Sequence, residues 1–165
     1  MPSLRLRLAY TAAAVSLAAG TTAHLHAASH GRPVSVEERI QGSARVVVAR
    51  AAAVKPGWRA NQWGDRVIVS RVVLDVEETL KGGHNQQVVM DVEGGSVDGV
   101  TMRVSSLPAV DQGDRAVFFL DDSGSGTFQP HLRGLGILKL GDDDVVKGSS
   151  LKLEDIRGVA RRAGR

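Results

Sequence analysis

Trp58, Arg59 and Trp63 stand close together in a polar stretch that also holds Lys55, Asn61 and Gln62. Indole faces and a guanidinium plane can stack on sugars, on bases or on a partner's side chains. These three residues are therefore the candidate binding site. A second reading stays open beside it. One tryptophan would cap the end of the fold, the usual fate of so large an apolar side chain, and Arg59 would simply be solvated.

The other residues capable of chemistry lead to no site. His24, His26 and His30 could chelate Cu(II) if a leader were cut after Ala23, since a free amine and an imidazole together suit that ion. A cut after Ala27 removes two of the three. Asp121, Ser123, Ser125 and Gly126 begin like a calcium loop, but the twelfth position from Asp121 is Leu132, not a bidentate Glu. They read as a hairpin turn, and Asp142-Asp143-Asp144 reads as a charged turn. Asp122-Ser123-Gly124 looks like the nucleophile region of trypsin-like proteases. Yet His84 and His131 are the only histidines of the body, and nothing orders a Ser-His-Asp triad. Glu77 and Glu78 are strand neighbours that point to opposite faces, so they form no acid pair. No catalytic residue, metal or cofactor is expected, and the chain is read as non-enzymatic.

Composition bounds the rest. The chain has 165 residues, 42% hydrophobic and 24% charged, which is ordinary globular composition and excludes wholesale disorder. Aromatics are only 4%, so Val, Leu, Ile and Ala must build the core. The absence of cysteine removes disulfides, thiol nucleophiles and Cys-based zinc sites. A pI near 9.7 suggests nucleic acid, but the cations are badly placed for it. Arg5 and Arg7 lie in the leader, and Arg157, Arg161, Arg162 and Arg165 lie in the last stretch. The remaining body has 15 basic against 18 acidic residues. A nucleic-acid surface needs clustered cations on one face, so none is expected. The basic end reads as a solvated helix terminus that complements the helix dipole.

Residues 1–7 are basic, 8–20 apolar and 21–28 small and polar. That is the order of a secretory signal peptide, and the apolar run is short for a membrane span. Cleavage is expected after Ala27, with Ala23 the alternative. The product is expected to be secreted or periplasmic, monomeric and not inserted in a membrane.

Four regions follow: a signal peptide over 1–27, a linker and short helix over 28–43, a β domain over 44–148, and a helix with a basic tail over 149–165. Ser35 with Glu38 predicts a capping box, and the helix it opens stops at Gly42. Residues 44–54 are apolar and β-branched at the front, and predict the first strand. Residues 55–65, punctuated by Pro56-Gly57 and Gly64-Asp65, predict a loop. Residues 66–78 alternate strongly, with Ile68, Ser70, Val72, Leu74 and Val76 on one face. A strand so long must bend or bulge. Residues 87–93 alternate again, with Val88, Met90 and Val92 inward. Gly94-Gly95 marks a turn or a close backbone approach. A weaker strand is predicted over 100–104, a buried one over 116–120, a return strand over 127–132, another strand over 134–140, and a helix over 150–163.

Strands that follow one another without helices argue for an antiparallel sheet. The size and strand count suit a five- to six-stranded antiparallel Greek-key barrel of the OB type with a helix at each end; a β-sandwich is the alternative.

From residue 44 to 140 the chain resembles a group of uncharacterised secreted bacterial proteins. The resemblance is carried by Val46–Val48, a loop with Trp58 or Trp63, the Val-rich strand ending in Leu80-Lys81-Gly82, the strand before Gly94-Gly95, Leu107-Pro108, Gly113-Asp114 and Phe118–Leu120. Such domains are similar in outline to the netrin-like fold of the tissue inhibitors of metalloproteinases. Those inhibitors bind the protease's zinc through an N-terminal Cys, which this chain lacks, so no functional residue carries over. The expected function is an exported, non-enzymatic binding module for a protein or glycan at the cell envelope or outside the cell. The alternative is a proteinase inhibitor or prodomain-like partner of an extracellular protease.

Overall fold

The computed structural model describes residues 33–124 and 126–164. The expected leader, with His24, His26 and His30, lies outside them, as does Ser125. The described chain runs α1 (Val36–Gly42), β1 (Arg45–Ala60), β2 (Arg66–Lys81), β3 (Gln87–Glu93), β4 (Gly95–Val97), β5 (Val100–Met102), β6 (Arg115–Asp122), β7 (Phe128–Pro130), a 3-10 turn (Arg133–Gly136), β8 (Ile137–Lys139) and α2 (Leu153–Ala163).

The molecule is mainly β. Six strands form one mixed sheet in the order β1-β2-β3-β7-β6-β8, and β1 also pairs with β6. All pairings are antiparallel except β3 with β7, which meet at Met90 and Phe128. The expectation of a wholly antiparallel sheet is corrected here, and the reason is parity. The pairings β1-β2, β2-β3, β3-β7, β7-β6 and β6-β1 make a circuit of five strands. An odd circuit cannot alternate direction throughout, so at least one pair must run parallel. β4 and β5 form a separate two-stranded sheet.

Burial follows the alternation. Ile68, Ser70, Val72 and Leu74 are buried on β2, and Val88, Met90 and Val92 on β3. With Val47, Ala49, Phe118 and Leu120 most of these form one core cluster. The continuous apolar runs Val46–Val48 and Val117–Leu120 have a different cause. Here the sheet is covered on both faces. Val46, Val48, Val117 and Phe119 turn the other way, onto Ile40 of α1 and Leu153, Ile156 and Ala160 of α2.

The helices begin as their sequences dictate. The Ser35 hydroxyl accepts from the Glu38 N–H, and the Glu38 carboxylate accepts from the Ser35 N–H. At the other end of α1, Lys81 Nζ donates to the carbonyls of Ile40, Gln41 and Ser43 at 2.7, 3.0 and 2.7 Å. Carbonyls left free by the helix end are thereby satisfied from β2. α2 starts at Leu153, later than the predicted 150, because Lys152 still bridges to Val145 in extended form.

Two further expectations are corrected. Residues 55–65 are not a loop: β1 continues to Ala60, and only 61–65 turn. Pro56 and Gly57 depress strand propensity, but a long partner strand overrides them. Within 134–140, only Ile137–Lys139 is strand. The 3-10 turn before it packs so closely that a Cβ on Gly134 would fall on the Ser106 carbonyl oxygen.

Ion pairs consume most of the charge near β6. Arg115 bonds Glu77 and Asp144, and Arg157 of α2 bonds Glu78. Lys139 Nζ lies 2.7 Å from Asp114. Burial raises the Asp114 pKa, but the Lys139 hydrogen bond, the Asp111 N–H and the charges of Lys139 and Lys147 outweigh it. The net result is a carboxyl held below its usual range. A depressed carboxyl stabilises the fold above its unfolded pKa, and that share is lost as pH falls through the folded value. Asp114→Asn should therefore flatten the acid limb of stability below about pH 4. Partial solvent screening keeps the effect under ~1 kcal/mol. Urea midpoints of both proteins between pH 2 and 7 check this; parallel profiles would refute it.

Candidate functional site

The candidate residues sit on an arm made by the far halves of β1 and β2. β6 pairs with β1 only from Arg45 to Arg50, whereas β2 follows β1 as far as Ala60. Beyond Ala51, no strand among the described residues pairs with the outer edge of β1. Lys55 and Pro56 suit such an edge, since a charge and a missing N–H discourage pairing with other chains.

A register shift between Ala51 and Ala53 decides which way the arm's side chains face. Cross-strand partners share a face. Pro56 pairs with Ser70 and Trp58 with Ile68, so both lie on the side of the buried Ser70 and Ile68. Lys55 pairs with Arg71, Gly57 with Val69 and Arg59 with Val67, on the opposite side. Trp58 and Arg59 thus stand back to back on the arm.

Trp58 is half-buried, and the Arg66 guanidinium lies over its ring at 4.6 Å from the centroid. Trp63 is at the tip and 76% exposed. It is held there by the turn. The Asn61 side-chain oxygen accepts from the backbone N–H of Trp63 at 2.9 Å and of Asp65 at 2.8 Å, and Gly64 takes a φ of +86°. Asn supplies this local bond and Gly the left-handed backbone, so the turn is written in the sequence.

On the Trp58 side, β4 and β5 fold over the arm's base. Asp98 and Gly99 both have positive φ, as a tight two-residue hairpin requires. Beneath this hairpin lies a groove of about 640 Å³. Its apolar wall includes Val54, Pro56, Val92, Met102, Leu107 and Val110. The Ser70 hydroxyl donates to the Gly94 carbonyl at 2.7 Å, and the Ser96 and Thr101 hydroxyls share a bond of the same length. Arg103 and Asp111 also line it. The volume lies within the range of small-molecule sites. Sequence reasoning missed this groove. Its one legible trace is Gly94-Gly95, where the backbone approach is close.

The remaining constellations are structural. Asp122 and Ser123 close their hairpin through Gly124 and Thr127. Asp144 serves Arg115, and the Asp143 side chain accepts from Val145. Of the four tail arginines, Arg157 and Arg161 are paired with acids. His131 Nδ1 lies 2.9 Å from Asp121, and its Nε2 fills the place a Cβ on Gly42 would take. Among the described residues, no three His, Cys, Asp or Glu side chains are placed to share a metal ion. No helix among them is long and apolar enough to cross a membrane. Compared with protein-family models and with curated proteins, the chain matches none.

Proposed function

We propose that this chain is an exported, non-enzymatic binding module that engages a protein or glycan at the cell envelope or outside the cell through the β1–β2 arm. The observation that carries the reading is Trp63, a large apolar side chain held out in solvent by the Asn61 hydrogen bonds. Folding gains nothing from such exposure, whereas a partner that covers the indole gains its buried area. Arg66 and Arg59 add cationic groups on the two faces of the same arm. Export rests on the order of charge and apolarity in residues 1–28.

The fold we propose is an OB-type barrel, related in outline to the netrin-like domains. The five-strand pairing circuit, with its single parallel pair and with one helix before and one after the strands of the described residues, supports that reading. On such a barrel the first hairpin projects from the rim, where OB domains bind.

Trp63→Ala tests the arm. Stability should stay within ~1 kcal/mol, as expected away from a core. Capture of a partner from the extracellular and envelope fractions should fall at least tenfold. Lost stability with unchanged capture would mean that Trp63 is a structural plug.

A further inference from the structure

We infer that the outward side of the arm seats an acidic polysaccharide chain, whose carboxylates Lys55 and Arg59 would hold on either side of the bare backbone at Gly57. The inference rests on the arm being the binding surface and names the class of its ligand.

Gly57 is the starting point. It lies inside β1, paired with Val69, and a glycine there weakens a strand. Nothing within the fold requires it. Its φ is not among the positive ones, and a Cβ at this position would meet no atom within 4 Å. By contrast, Gly95 on the other side of the arm would place a Cβ 2.6 Å from Ser70 Oγ. Gly57 therefore leaves a gap facing solvent, through which an outside group can reach the backbone.

The flanks of the gap are charged. Lys55 and Arg59 are both exposed and sit two residues to either side on the same face. Neither side chain has an ion pair or hydrogen bond among the described residues, whereas the nearby Arg71 side chain is engaged by Asp91 through two bonds of 2.9 Å. Across from the gap, Val67 and Val69 are half-buried. The surface thus reads cation, bare apolar platform, cation, with Trp63 beyond Arg59 at the tip.

This spacing selects among anions. Four residue steps along the strand separate the two cations by about 13 Å. Duplex DNA carries one charge per ~1.7 Å of axis, or about eight over that distance, against two cations here. The body of the chain is itself acidic, with 15 basic against 18 acidic residues. Dense polyanions are therefore disfavoured. A uronic-acid polysaccharide carries sparse carboxylates separated by ring faces with apolar C–H patches. Those faces match the platform and the indole, and the carboxylates match the two cations.

The test uses the full chain and alginate, a uronic-acid polymer, with neutral dextran and double-stranded DNA of similar length as comparators. Alginate should bind, more weakly as salt is raised, and at least tenfold more tightly than dextran or DNA. Gly57→Val should cut alginate binding at least tenfold while leaving the melting temperature unchanged or higher, because a β-branched residue favours the strand. The pair Lys55→Gln and Arg59→Gln should cut it similarly and reduce its salt dependence. Absent alginate binding, equal binding of DNA, or a Gly57→Val protein that binds like the parent overturns the inference. If alginate fails while Trp63→Ala still abolishes capture of a natural partner, the arm stands and the ligand class falls. If alginate binds but survives both arm variants, the arm itself is not the surface.

Discussion

Val72→Asp should leave no folded protein at neutral pH. Val72 is fully buried between Val54 on β1 and Met90 on β3, at the centre of the inward face of β2. A carboxylate placed there has no cation to pair with inside the Val, Leu, Met and Phe cluster around it. An uncompensated buried charge costs ~5 kcal/mol, about the whole stability of a small domain. Far-UV circular dichroism and urea titration would read the loss. Val73→Thr, one residue on and facing outward beside Val89, should cost less than ~1 kcal/mol. Similar losses from both substitutions would show that the inward and outward faces are wrongly assigned.

Gly95→Ala should open the groove while sparing the sheet. Gly95 has a φ of +132°, which side-chain-bearing residues avoid, and its added Cβ would sit 2.6 Å from Ser70 Oγ and 2.9 Å from Pro56 Cβ. Backbone strain and overpacking together should cost ~3 kcal/mol. The β4–β5 hairpin is joined to β1 and β2 by packing and not by strand pairing, so it should yield first. Hydrogen exchange should speed up across residues 94–104 and remain slow in β2, β3 and β6. Adding Ser70→Ala removes the closest clash, so the double variant should lose less than the sum of the two single losses. Strict additivity, or uniform loss of protection across the sheet, would contradict the close packing of Gly95 on the arm.

Much of this fold is legible along the chain because it depends on neighbours in sequence. The capping box at Ser35 is a bond between residues three apart. The inward faces of β2 and β3 follow from alternation, since strand side chains change sides at every residue. The turns at Asn61–Asp65 and Asp122–Thr127 are set by Asn, Asp, Ser and Gly through local bonds. The charge count, which leaves the body acidic, and the exclusion of cysteine chemistry need no structure at all.

Other features arise only from contacts between distant residues. Periodicity cannot say that β7 returns beside β3. That parallel contact follows from an odd circuit of strands, which is a property of the whole sheet. Nor could local propensity keep Lys55–Ala60 in a strand, because pairing with 66–71 supplies the bonds that Pro56 and Gly57 discourage. The candidate site depends most on this level. Trp58 and Arg59 are adjacent in sequence and look like one stacking surface, yet the strand sets them on opposite faces. The register shift at Ala51–Ala53 gives β1 one extra residue and so reverses the facing of every residue beyond it. Sequence alone thus determined which residue types stand in this segment and the local turn that ends it. The tertiary structure decided that Lys55, Gly57 and Arg59 share the open side while Trp58 takes the face of Ile68 and Ser70, because one residue of register exchanges the two faces of a strand.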